Sequence, residues 1–169
     1  MQITNTEVYG FEASLRGMRN PMNSWHLQDS KDDVIGDNDM NLALRLIKAG
    51  NEHCKFLRQM QVWADFDMPL YWWSEFDTYK FNTKNSCSTM HKLFNAKKGI
   101  ELSDFVFSEE EKPALTFIIS ELNSLREKYL QTKDVNYLIR GKRLLPSSFK
   151  QKRTVNTNSV SYTHLTLPT

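Results

Sequence analysis

Met60, Val62, Ala64 and Phe66 alternate with Gln59, Gln61, Trp63, Asp65 and Asp67. A period of two is the mark of a strand with one buried face. Pro69 follows almost at once. It brings no backbone donor to a ladder, but suits the first turn of a helix, where that donor has no partner anyway. The chain must therefore leave the sheet there. The next run, PLYWWSEF, sets Leu70, Trp73 and Asp77 on one stripe, with Tyr71 and Ser74 beside it, and predicts a helix to about Tyr79 or Lys80. Past it, FNTKNSCSTMH is built from small hydroxyl and amide residues. Such a segment fills a core poorly and hydrogen-bonds a phosphate or a base well.

Around this centre the pattern reads as α+β, an antiparallel or mixed sheet packed with helices. Residues 2–15 alternate weakly, with a strand expected up to Phe11. Residues 16–36 are turn-rich and read as a loop. A helix is expected from about Asp39 to Ala49, with Leu42, Leu46 and Ala49 on one face and Gly50 as its stop. The stretch 81–104 reads as irregular. Ser108 and Glu111 form a capping-box pattern ahead of a long helix, with Leu115, Ile118, Leu122, Leu125 and Tyr129 as its buried stripe. A second helix is expected over Asp134–Leu144, and residues 153–158 open a further strand or helix.

Composition places the chain among folded globular proteins. No run approaches the roughly 18 apolar residues of a membrane helix, and the N-terminus lacks the pattern of a secretory signal. Cys54 and Cys87 fit no metal spacing and read as free thiols of a cytoplasmic protein. The net charge of +2 is unevenly spread: after Asp134 there is no acidic residue, while Arg140, Lys142, Arg143, Lys150, Lys152 and Arg153 lie in that segment. An anionic partner, or an acidic complement elsewhere, accounts for it equally well. The last segment, SVSYTHLTLPT (159–169), resembles the translated read-through of a sequencing adapter. It is set aside as a non-native tail. One domain over 1–158, incomplete at its C-terminus, is the expectation.

The order of elements and particular residues together resemble the flavin-dependent (alternative) thymidylate synthases. That family carries R-H-R-x-x-S-x-N-x-x-S-x-R-Y after a strand and a helix. LIKAGNEHCKF resembles its earlier helix end, MPLYWWSEF its entry into the signature helix, and LLPSSFKQKRTVNTN its later Leu-Pro…Thr-Val-Asn stretch. In register, Arg-His-Arg falls on Thr78, Tyr79 and Lys80, and the next Ser and Asn on Thr83 and Asn85. The second Ser falls on Ser88, and the last Arg and Tyr on Met90 and His91. Asn85 and Ser88 are identical to the family; Lys80 and Thr83 are conservative; Thr78 and Met90 lack the family's charge. The likeness is to a divergent, phage-like branch.

The resemblance implies methylation of dUMP to dTMP with FAD, methylenetetrahydrofolate and NADPH, or a related pyrimidine-nucleotide modification, in a homo-oligomer, by the family's pattern a tetramer. It implies catalytic roles for Ser88 and Tyr79, FAD contacts for Tyr79, Lys80, Thr83 and Asn85, and nucleotide contacts for Glu75, Thr78, Ser88 and His91. Lys80, Asn85 and Ser88 are expected to share one concavity. Lys80 can offer a point charge to a phosphate but not a bidentate fork. The missing arginines and the basic stretch 140–153 also suit another class, a non-catalytic binder of nucleotides or single-stranded nucleic acid. Cys87, with Lys80, Lys84 and His91 nearby in sequence, is a candidate thiolate nucleophile or a bystander. Trp72 and Trp73 can stack on a flavin or a base or pack in the core, which is favoured for Trp73. Asp65, Asp67, Glu75 and Asp77 straddle a strand and a helix without ligand spacing, so no metal is expected.

Overall fold

In a computed structural model, residues 1–94 and 97–166 are described, except for the side chains of 90, 91 and 164–166. The elements in order are β1 (Gln2–Tyr9), α1 (Phe11–Met18), α2 (Asp37–Ala49), α3 (Lys55–Gln59) and β2 (Gln61–Pro69). They continue as α4 (Leu70–Phe76), β3 (Asn82–Ser86), α5 (Thr89–Lys92), α6 (Lys112–Thr132), α7 (Val135–Leu144), β4 (Lys150–Asn158) and α8 (Ser159–Thr166). The fold is α+β. The strands form one antiparallel sheet in the order β1-β2-β4-β3.

The alternation in β2 is kept: Val62, Ala64, Phe66 and Met68 are buried, while Trp63 is exposed and Asp65 and Asp67 are half-buried. Pro69 closes the strand and α4 begins at the next residue. In α4, Trp73 and Phe76 are buried; Phe76 stacks with Phe66 and Trp72, while Trp73 meets both of those rings edge-on.

Two compact units are distinguished. The first takes in residues 1–4, 65–78 and 85–154. Its core is Leu93, Phe94, Ile100, Phe105, Leu115, Leu122, Leu125 and Leu138, so α6 and α7 bury the stripe read from the sequence. The second takes in residues 5–64, 79–84 and 155 onward. Leu15, Met18, Ala43, Phe56 and Met60 form its core.

Several boundaries depart from the pattern. The first strand stops at Tyr9, and Phe11–Met18 is helical. Gly10 takes a left-handed turn (φ 76°), which frees Phe11, Leu15 and Met18 to follow a helical period. The expected loop 16–36 holds the end of that helix and two 3-10 turns. Residues 82–86, read as irregular, are an edge strand: pairing with β4 forms it although neither face is apolar. Glu111 Oε2 accepts from the Ser108 N–H at 2.7 Å, half of the expected capping box, yet α6 starts at Lys112 with a proline in its first turn. Strand β4 starts at Lys150, three residues before the expected one. Ser159–Thr166, set aside as a tail, forms a helix whose Ser161 N–H is capped by Asn158 Oδ1 at 3.0 Å.

The second unit also buries an ion pair. Arg19 and Asp39 are 3% and 0% exposed, and Arg19 Nη2 lies 2.6 Å from Asp39 Oδ1. The second carboxylate oxygen accepts from the Ser30 N–H at 3.0 Å and the Asp29 N–H at 3.3 Å. Asp29 in turn caps α2 through the N–H groups of Asn38 and Asp39. Burial pushes the Asp39 carboxyl up, but hydrogen bonds from Ser30, Arg19 and Asp29 outweigh it and hold the group below its ordinary 3.8. A carboxyl depressed on folding contributes stability that is present above its ordinary value and is lost as pH falls through the folded one. Asp39→Asn therefore lowers stability by about 3–5 kcal/mol at neutral pH, since it leaves Arg19 buried without its counter-charge. It also shallows the loss of thermal stability below about pH 4. Thermal unfolding of both proteins between pH 3 and 7 checks this; parallel acid limbs would contradict it.

Candidate functional site

Strand β4 carries the side chains that organise the first unit. Trp73 is 1% exposed, and its indole N–H donates to the Gln151 carbonyl at 2.9 Å. The Arg153 guanidinium lies over the Trp73 ring, 4.2 Å from its centroid. Arg153 Nη1 reaches both Asp77 carboxylate oxygens, at 3.3 and 3.4 Å, and its Nε donates to Gln151 Oε1 at 3.0 Å. Gln151 Nε2 then donates to the Cys87 carbonyl at 2.6 Å. The Cys87 N–H donates to the Lys152 carbonyl at 2.9 Å. A buried amide, fixed at both ends, thus holds the backbone next to Ser88.

That backbone borders a cavity of about 270 Å³. Cys87, Ser88 and Thr89 line it, with Lys92, Lys98, Lys150 and Lys152, the carboxylates Asp67 and Asp104, and an apolar floor of Leu93, Ile100 and Phe149. Two of its lysines are tied to carboxylates. Lys98 lies 3.4 Å from Asp104 and 3.3 Å from Glu101, which together hold its ammonium above the usual range. Lys152 lies 3.1 Å from Asp65, whose other oxygen accepts from Thr154 Oγ1 at 2.6 Å. Among the described residues, Lys92 and Lys150 have no carboxylate partner. The cavity therefore joins hydroxyl donors to uncompensated positive charge, which favours an anionic ligand.

A second cavity, of about 450 Å³, lies in the other unit. Arg58, Lys80, Thr83, Asn82, Asn156 and Asn158 surround it, with Phe81 on its wall. Phe81 is 77% exposed, an uncommon position for a phenyl ring next to two cations. The combination suits a ligand with both a phosphate and a flat apolar ring.

The expected site residues do not converge. Lys80 and Thr83 line the second cavity, Ser88 lines the first, and Asn85 lines neither. Between Lys80 and Ser88, residues 82–86 form the extended strand β3 where a bend was expected. Thr78 is exposed, and its hydroxyl donates to the Glu75 carbonyl at 2.7 Å. Glu75 is exposed on α4 and lines neither cavity. Tyr79 is exposed, and its carbonyl accepts from Asn82 Nδ2. The side chains of Met90 and His91 lie outside the described residues. Trp73 is core and Trp72 is half-buried beside it. Cys87 is exposed and Cys54 buried. Among the described residues no three His, Cys, Asp or Glu side chains gather as a metal ion requires, and no helix is long and apolar enough to cross a membrane.

Pattern reading did not single out Lys92, Arg58, Phe81, Gln151 or the asparagines of β4, all of which line one of the two cavities. Lys150 and Lys152 were visible only as part of a one-sign segment. The pairing of β4 with β3, which brings Gln151 to Cys87, has no signature in either strand alone.

No protein-family model and no curated protein sequence matches the chain. Solved structures do. A thymidylate synthase X (ThyX) from Helicobacter pylori, crystallised with FAD and dUMP, is 17% identical, with a TM-score of 0.71 over 97% of this chain and 81% of that one. The UMP/dUMP methylase PolB from Streptomyces cacaoi, bound with 5-Br UMP, is 12% identical, with a TM-score of 0.58 over 96% of this chain and 74% of that one. The likeness is one of fold, and the chain has the fold of ThyX.

Replacing Gln151 by Ala leaves the Cys87 carbonyl without its donor, at a cost of about 1–3 kcal/mol if the group stays buried. The Cys87–Ser88 backbone should then loosen. Labelling of Cys87 by a thiol reagent, followed by mass spectrometry, is expected to quicken several-fold while Cys54 stays protected. An unchanged Cys87 rate would contradict the proposed hold.

Proposed function

We propose that the chain binds a pyrimidine nucleotide in the first cavity and a flavin in the second, on a ThyX-type fold. The proposed reaction carries a one-carbon unit from methylenetetrahydrofolate to the uracil C5 of dUMP and reduces it to methyl at the expense of NADPH. The observation that carries this reading is the first cavity, whose lining joins the hydroxyl residues Ser88 and Thr89 to Lys92 and Lys150, lysines with no carboxylate partner among the described residues. Those ammonium groups suit a nucleotide phosphate. A hydroxyl donor at a uracil carbonyl draws electron density onto that oxygen and supports nucleophilic character at C5.

The residues of the second cavity fit FAD. Lys80 and Arg58 can meet its diphosphate, Thr83 and Asn82 can donate to the same oxygens, and Phe81 offers a face to a ring. Bound FAD would relay hydride from NADPH to the transferred carbon. The resemblance also implies flavin contacts for Tyr79 and Asn85 and nucleotide contacts for Glu75, Thr78 and His91, but Asn85 and Glu75 line neither cavity, so we do not assign them a contact within one copy of the chain. In this fold Thr78 offers its hydroxyl to its own helix end, so its contribution would be small. Because Lys80 and Ser88 line separate cavities, we infer that the working site is completed by a second copy of the chain, in a homo-oligomer.

The intact protein should purify yellow and carry flavin absorption. Lys80→Ala should weaken its affinity for FAD about tenfold, as expected for loss of one charged phosphate contact. Equilibrium titration followed by flavin fluorescence measures this, and equal affinity would remove Lys80 from the cofactor site. A colourless protein whose affinity for single-stranded nucleic acid falls steeply with salt would favour the non-catalytic reading instead.

A further inference from the structure

Asp67 brings a carboxylate to the lining of a cavity that also holds four lysines and the hydroxyl residues Ser88 and Thr89. It shares a strand face with Asp65 two residues earlier, and the two have different fates. Asp65 is engaged by Lys152 and Thr154. Asp67 is half-buried and has no hydrogen-bond or ion-pair partner among the described residues, although Lys92 and Lys150 line the same cavity. A carboxylate half removed from water needs a donor, and none of the described residues supplies one to Asp67.

We propose that Asp67 is a specificity-determining residue that accepts a hydrogen bond from the nucleoside part of the ligand. This inference rests on reading the cavity as a nucleotide site. The charge pattern narrows the ligand class. A bare divalent anion gains from Lys92 and Lys150 and is repelled by Asp67. A cationic ligand is repelled by the lysines. A molecule with phosphate at one end and a neutral N–H or O–H donor at the other satisfies both. The cavity, at about 270 Å³, is near the small end for ligand sites and suits a mononucleotide. The donor is the uracil N3–H or a sugar hydroxyl, and both place the same demand on the carboxylate.

Calorimetric titration of the full-length protein with dUMP, dCMP, 2′,3′-dideoxyuridine monophosphate and inorganic phosphate tests this. Asp67→Ala should weaken dUMP roughly tenfold or more while leaving phosphate unchanged or tighter, because repulsion has been removed. Asp67→Asn keeps an acceptor oxygen and should recover part of the loss. Weak wild-type binding of dCMP alone identifies the imide as donor; weak binding of the dideoxy nucleotide alone identifies the hydroxyl. Either result supports the assignment. Wild-type affinity for dUMP in Asp67→Ala, or equal losses for dUMP and phosphate, would overturn it while leaving the nucleotide reading standing. A wild-type protein that takes phosphate and no nucleotide would overturn both.

Discussion

Trp73 is enclosed on every side, yet its indole N–H needs an acceptor. The Gln151 carbonyl is that acceptor. This one bond ties the helix that follows Pro69 to strand β4. The same strand then supplies Arg153 to cover the indole face and Gln151 to hold the Cys87 carbonyl. Pairing with Asp77 keeps Arg153 from being a half-buried charge without a partner. Each group in this sequence satisfies the next, so loss of one leaves another unsatisfied. Such networks are high-stakes: fully paired, they fix a unique arrangement, and partly paired they cost more than an apolar substitute. The position of Ser88 and the shape of its cavity descend from this arrangement.

The cavity's chemistry follows from which charges are already matched. Four lysines line it, but Asp104, Glu101 and Asp65 neutralise two of them. What remains is a cavity lined by two ammonium groups, hydroxyl donors and one carboxylate without a partner among the described residues. Counting lysines alone would suggest a general anion binder or a nucleic-acid groove. Counting the unmatched groups points to a small ligand with a phosphate at one end and a donor at the other. The altered signature fits that view. Where the ThyX-like pattern has arginines, this chain has Thr78 and Met90, and lysines elsewhere on the fold offer positive charge instead.

Much of the fold was legible where a period was strong. Strand β2 alternates because one face is buried, and α2, α6 and α7 carry apolar stripes that meet a core. Pro69 marks the end of a strand because a sheet cannot use its nitrogen. Elements made by tertiary pairing were not legible. β3 is polar on both faces and becomes a strand only beside β4. Gly10 turns what looked like continued alternation into a helix start. Of the residues expected from register with a known signature, Ser88, Lys80 and Thr83 line cavities. That residues 82–86 form a strand was hidden, since a run of hydroxyls and amides reads alike as a bend or as an edge strand.

Hydrogen–deuterium exchange of the intact protein with and without dUMP tests the central claim most directly. Nucleotide bound between Ser88, Lys92 and Lys150 should slow exchange in residues 87–93 and 149–152, and leave the groove formed by Glu121, Arg140 and Arg143 unaffected. Protection confined to that groove, or none at all at saturating dUMP, would contradict the account.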